Sequence, residues 1–107
     1  MITKHKNRYI LVESTAPLDI RNPAVSQGLG IALDLQLGQI GRMESSPKPV
    51  FQYNQHAFII RVNRGFERRL MLATAMVKEI NGQRIGLYTI KTSGTIRTLI
   101  EHCKKIY

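Results

Sequence analysis

Ser93-Gly94-Thr95-Ile96-Arg97-Thr98 joins a β-patterned run, Arg84 to Lys91, to a helical run, Thr95 to Lys105, and its reading decides how the chain is built. Ile96, Leu99, Ile100 and Cys103 recur on one side of the helix that it opens, so the chain closes as strand, turn and helix. A helix N-terminus carries roughly half a positive charge, and Arg97 in the first turn costs roughly a few tenths of a kcal/mol there. Two readings account for it. In one, the backbone N–H groups of the turn, the hydroxyls of Ser93 and Thr95 and the Arg97 guanidinium together seat a phosphate. In the other, Ser93 or Thr95 caps the helix and Arg97 lies over solvent.

Working back from this segment, Arg8 to Ser14 is β-rich and mostly apolar, and Thr15 to Pro23 is a turn with two prolines. Val25, Leu29, Leu33 and Leu37 recur at helical spacing, which predicts a helix over 24–38. Gly28 and Gly30 weaken that helix by about 0.5–1 kcal/mol each relative to alanine, while their smallness lets it approach its sheet or a partner closely. Gly41 to Pro49 is a polar loop. Val50 to Tyr53 and Ala57 to Asn63 read as strands joined at Asn54-Gln55-His56. The next helix starts near Asn63 or Gly65 and runs to Ile80, with Phe66, Leu70, Ala73, Val77 and Ile80 along its stripe, and Asn81-Gly82 stops it.

The order βαββαβ plus a C-terminal helix is the split βαβ arrangement, an α+β, ferredoxin-like and RNA-recognition-like sandwich with a four-stranded antiparallel sheet. Right-handed crossovers put both long helices on one face. Alternation then sends Ile10, Val12, Phe58, Ile60 and Val62 toward the helices. It sends Tyr9, Leu11, Glu13, Gln52, Ile59, Arg61, Thr89 and Lys91 to the other side.

The 107 residues suit one domain, 1–107, able to hide roughly 65% of its unfolded surface. Sixteen Lys and Arg against seven Asp and Glu give a formal charge of +9, which favours a polyanion, and nucleic acid is the commonest one. Cys103 is the one cysteine, so an internal disulfide is excluded and a reducing compartment is expected. No apolar run approaches membrane-spanning length, and the expectation is a cytoplasmic protein with no membrane partner.

Cations cluster as Lys4, Lys6 and Arg8; as Arg61, Arg64, Arg68 and Arg69; and as Lys91 with Arg97. On the sheet face that single-strand readers use, Tyr9 is the one plausible aromatic platform, so phosphate contacts must dominate. His5, His56 and His102 fall on a terminus, a hairpin tip and a late helix, without a fixed partner for acid–base work. Cys103 reads as a buried structural thiol. No His, Asp and Glu set has the spacing of a metal site. Met71, Leu72, Ala75 and Met76 add a second apolar side to a helix whose stripe is already complete; either helix packing or a protein partner covers it.

Lys6-Asn7-Arg8-Tyr9-Ile10 at the first strand and Ser93-Gly94-Thr95-Ile96-Arg97 at the last helix carry a resemblance, supported by Ile59-Ile60-Arg61-Val62 and Val77-Lys78-Glu79-Ile80-Asn81-Gly82 between them. The chain resembles the Pop-five/Rpp-fourteen family, protein component 2 of archaeal and eukaryotic ribonuclease P, over about residues 4–103. The resemblance implies an accessory RNA-binding subunit of the ribonucleoprotein that removes the 5′ leader from precursor tRNA. The RNA subunit and the magnesium ions it holds then carry the cleavage, with no catalytic residue and no cofactor in the protein. It implies as partners ribonuclease P RNA, precursor tRNA, the TIM-barrel-like protein component 3 in a dimer of heterodimers, and other ribonuclease P proteins. The candidate RNA contacts are Lys4, Lys6, Arg8, Arg61, Lys91, Ser93, Thr95 and Arg97, and the candidate partner surface is Met71, Leu72 and Met76. Rival readings are a stand-alone RNA-recognition module and a free-standing ribonuclease using His5 or His56.

Overall fold

Asn7–Ser14, with Tyr9, Ile10, Leu11 and Val12 in succession, forms strand β1, one of the two inner strands of the sheet. The computed structural model describes residues 7–107, with the backbone alone for 39–45; Lys4, His5 and Lys6 lie outside the described residues. Along the chain follow α1 (Pro23–Ser45), β2 (Lys48–Asn54), β3 (Ala57–Asn63), α2 (Glu67–Met76), β4 (Glu79–Ile80), β5 (Gln83–Arg84), β6 (Leu87–Ser93) and α3 (Ile96–Ile106). The four long strands pair antiparallel in the order β2-β3-β1-β6. The sheet is four-stranded and antiparallel, as expected of a ferredoxin-like element sequence.

Both broad faces of the sheet are covered. Ile10, Val12, Phe58, Ile60 and Val62 pack under α1 and α2, meeting Leu29, Leu33, Leu70 and Ala73. On the opposite face Leu11, Ala57 and Ile59 are closed off by Leu99 and Cys103 of α3, with Tyr9, Phe51, Tyr53, Ile96 and Ile100 around them. Burial of this kind stabilises by about 1.5–3 kcal/mol per large apolar side chain. Gln52 fixes the connection that leads into α1: its amide donates to the Leu18 carbonyl at 2.9 Å and its oxygen accepts the Ile20 N–H at 2.8 Å.

Four expectations change. Helix α2 ends at Met76, four residues before Ile80, because Val77 is already extended (φ −69°, ψ 124°). Asn81 and Gly82, at φ 52° and 78°, do not terminate a helix. They turn the β4–β5 hairpin, in which Glu79 pairs with Arg84 and Ile80 with Gln83, since two successive positive φ angles are what a tight hairpin turn requires. Val77 and Ile80 nonetheless reach the core, which is why the helical spacing of apolar residues runs on through them in the sequence. Helix α1 passes through a kink at Gly38 (φ 74°, ψ 168°) and takes up residues assigned to the polar loop. Finally, Gln52 pairs with Phe58 and Thr89 with Val12, so both belong on the α1/α2 side. Register shifts in β2 and at Ile90 account for this, since one inserted residue reverses alternation.

Candidate nucleic-acid interface

The pairing of β1 gathers three separate segments at one end of the sheet. Asn7 stands opposite Asn63, and Tyr9 stands between Arg61 and Ser93. The residues just beyond those strand ends, Arg64 and Gly94, therefore meet at the start of β1. Together with Asn7, Arg8 and Tyr9 they line a cleft of about 420 Å³.

Arg8 is the innermost cation of this cleft. A Cβ on Gly94 would stand 3.6 Å from its Nη1, so glycine leaves the guanidinium close to the β6–α3 junction. Its Nε is buried, without a hydrogen-bond partner among the described residues, and lies 3.9 Å from Glu67 Oε2. Glu67 is also engaged elsewhere, accepting the Gly65 N–H. A partly exposed ion pair at such a distance contributes about 1 kcal/mol or less, whereas a charge-assisted hydrogen bond is worth about 1.5–3 kcal/mol. An incoming anion therefore competes well for Arg8.

At the β6–α3 junction the capping arrangement is the one formed. Thr95 is extended at the N-cap, and its hydroxyl accepts the Thr98 N–H at 3.3 Å and lies 2.8 Å from the Thr98 hydroxyl. Ser93 Oγ accepts the Thr95 N–H at 3.2 Å. Both hydroxyls thus shape the turn, while Ser93 keeps its own proton to donate. The N–H groups of Ile96 and Arg97 belong to the first turn, which has no intrahelical acceptor for them. Arg97 is exposed beside them.

Of the sequence candidates, Arg8 lines the cleft, while Arg61 and Ser93 flank Tyr9 at the same end of the sheet, on its α3 face. Thr95 and Arg97 continue it onto α3, and Lys91 is exposed opposite Leu11, two residues further along β6. Arg64 belongs to the cleft, although the sequence placed it only within a broader basic cluster. Its signal is positional: it follows the strand residue that pairs with Asn7. Tyr9 is not a free platform, because it packs into the cluster under α3.

Leu72 and Met76 are 62% and 59% exposed, and Met76 shares a cleft between α1 and α2 with Leu35, itself 78% exposed. Met71 is different: it packs against the core. His56 Nδ1 is 3.0 Å from the Ser14 carbonyl oxygen, and His102 lies on α3. Cys103 is buried as expected, and burial pushes its thiol pKa up. Lys78, placed in a last helical turn by the sequence, lies beyond α2.

The profile of the Rpp14/Pop5 family matches residues 8–104. A protein of Thermococcus kodakarensis named ribonuclease P protein component 2 is 29% identical over 97 residues, covering 90% of this chain and 81% of that protein. Its namesake in Pyrococcus horikoshii is 31% identical over the same length, with the same coverage. In structure, a chain from the cryo-EM structure of yeast ribonuclease MRP superposes with a TM-score of 0.65 at 13% identity, covering 99% of this chain and 97% of that one, which shows a shared fold. Since the match begins at Arg8 in the basic cleft, takes in Arg64 and Gly94 and ends on the helix that roofs the sheet, it spans nearly the whole fold: the chain belongs to the Rpp14/Pop5 family.

Proposed function

We propose that this chain is an RNA-binding protein subunit of ribonuclease P and supports the RNA component that cleaves the 5′ leader from precursor tRNA. The observation that carries the reading is the convergence of Arg8 and Arg64 on the Gly94 junction, with Arg97 in the adjoining first turn of α3. Two guanidiniums and free first-turn N–H groups recognise the shape and charge of phosphate. Arg61, Lys91 and the Ser93 hydroxyl extend the contact along the sheet end. The side chains of this site offer cations and hydroxyls, and the magnesium needed for cleavage is held by the RNA. The exposed Leu35, Leu72 and Met76 are the contact for a protein partner, the TIM-barrel-like component 3, within a cytoplasmic particle. A reader that stacks bases on the sheet face, as RNA-recognition modules do, would need Tyr9 open there, and Tyr9 is half-buried against the cluster under α3.

Reconstitution tests this. The RNA component is mixed with this chain and its presumed partner, and precursor tRNA processing is followed at limiting magnesium; a gain in rate is expected, and no gain overturns the assignment. Each phosphate contact adds about 0.7–0.9 to the slope of log affinity against log salt. Arg8→Ala and Arg97→Ala should each lower that slope by about one such step, and an unchanged slope removes that residue from the interface.

A further inference from the structure

A second cleft of about 420 Å³ opens at the other end of the sheet, between the β4–β5 hairpin and the start of β6. Its floor is apolar: Val77, Ile85 and Leu87 are all buried. Its rim is not: Lys78, Arg84 and Tyr88 are exposed, Tyr88 by 58%. The walls are held in place by hydrogen bonds. The Ile85 N–H donates to the Lys78 carbonyl at 3.0 Å, tying the hairpin together, and the Gly86 N–H donates to the Thr15 hydroxyl at 2.8 Å. Gly86 keeps the cleft open, since a Cβ there would stand 3.2 Å from Thr15 Cγ2 and 3.6 Å from the Tyr88 hydroxyl. Glu79 stands opposite Arg84 in the hairpin but lines the neighbouring cleft with Leu35 and Met76. Neither Lys78 nor Arg84 forms an ion pair among the described residues.

We propose that this cleft binds an unpaired nucleotide of single-stranded RNA, with its base against the Tyr88 ring and the apolar floor and its phosphate between Lys78 and Arg84. A base is planar and stacks on any aromatic face, and the phosphate attached to it asks for cations a few ångströms away. An apolar floor, one exposed ring and two cations without an ion pair among the described residues supply that combination. The formal charge of +9 draws polyanions, and of these a nucleic acid also brings a planar base for the ring and the apolar floor. The inference rests on the RNA-binding reading above and adds a second, single-strand site to it.

The test uses the full chain at low salt with three probes: a ten-nucleotide oligouridine, a blunt RNA duplex of equal length, and a glutamate–tyrosine copolymer. Tyr88→Ala should weaken oligouridine binding by about five- to 150-fold, the range that the loss of one stacked base gives, and leave the duplex within about twofold. Tyr88→Phe should retain most of the affinity. Lys78→Ala with Arg84→Ala should lower the oligouridine salt slope by about 0.7, the step for one phosphate. Circular dichroism checks that each variant is folded. If folded Tyr88→Ala binds oligouridine as the parent does, or loses only the copolymer, the nucleotide site is refuted. If Arg8→Ala with Arg64→Ala still weakens the duplex in that case, the RNA-binding reading survives. If neither set of variants affects any RNA, both fail together.

Discussion

Gly28 and Gly30 lie two positions apart on α1 and have opposite surroundings. A Cβ on Gly28 would fall 2.2 Å from Asn81 Oδ1, displacing an amide that donates to the Ala24 carbonyl at 3.0 Å; around Gly30 there is nothing within 4 Å. Gly30→Ala should therefore stabilise by about 0.5–1 kcal/mol, read as a rise of about 2–8 °C in Tm. Gly28→Ala gains the same propensity but gives up a hydrogen bond worth about 0.5–1.5 kcal/mol, so its Tm should stay near the parent's. The sequence suggested a close approach at these glycines; it did not suggest the partner, because Asn81 and Ala24 are 57 positions apart. Thr95 and Arg97 separate in a similar way. Thr95→Ala should lower stability by about 1 kcal/mol in urea unfolding, as loss of an N-cap does. Arg97→Ala should not lower it, because the cation opposes the helix dipole, and should act on RNA affinity alone.

At the level of elements, α3 and the β4–β5 hairpin show what local pattern does and does not reveal. The amphipathic side of α3 was legible residue by residue: Leu99 and Cys103 are buried and Ile96 and Ile100 pack beside them. Its destination was not, since nothing in eleven residues says which sheet face they cover. Leu99→Ala should cost about 2–5 kcal/mol, and near-ultraviolet spectra should report the loosened tyrosines beneath. Asn81-Gly82 was misread for a physical reason: the same pair ends helices and turns hairpins, and Val77 and Ile80 prolong a helical spacing into the core. Because Gly82 has φ 78°, Gly82→Ala should destabilise by about 1–2 kcal/mol; a residue within or just after a helix at ordinary φ would show no such penalty.

For the whole molecule, charge and pH both act through the two covered faces. Tyr107, at the end of α3, has its pKa pushed up to about 12, first by burial and then by the neighbouring Glu13 carboxylate, and its ring lies 5.9 Å from that of Tyr53. A phenol whose pKa is higher in the folded state than in the unfolded one, near 10, stabilises fully below pH 10. That contribution fades as pH climbs from about 10 through about 12. Melting curves over this range should fall more steeply for the parent than for Tyr107→Phe, and equal slopes would show that the phenol has no such role. The excess of cations announced a polyanion, but bringing Arg8 beside Arg64 depends on β1 pairing with β3 at one register, which charge counting cannot supply. In a sheet laminated on both broad sides, the strands themselves meet solvent at the rim. The eight residues of β1 span roughly 25 Å between the two cationic short ends, so under the two proposed RNA contacts one molecule would act as a strut, holding apart or tying together two stretches of RNA that would otherwise repel each other.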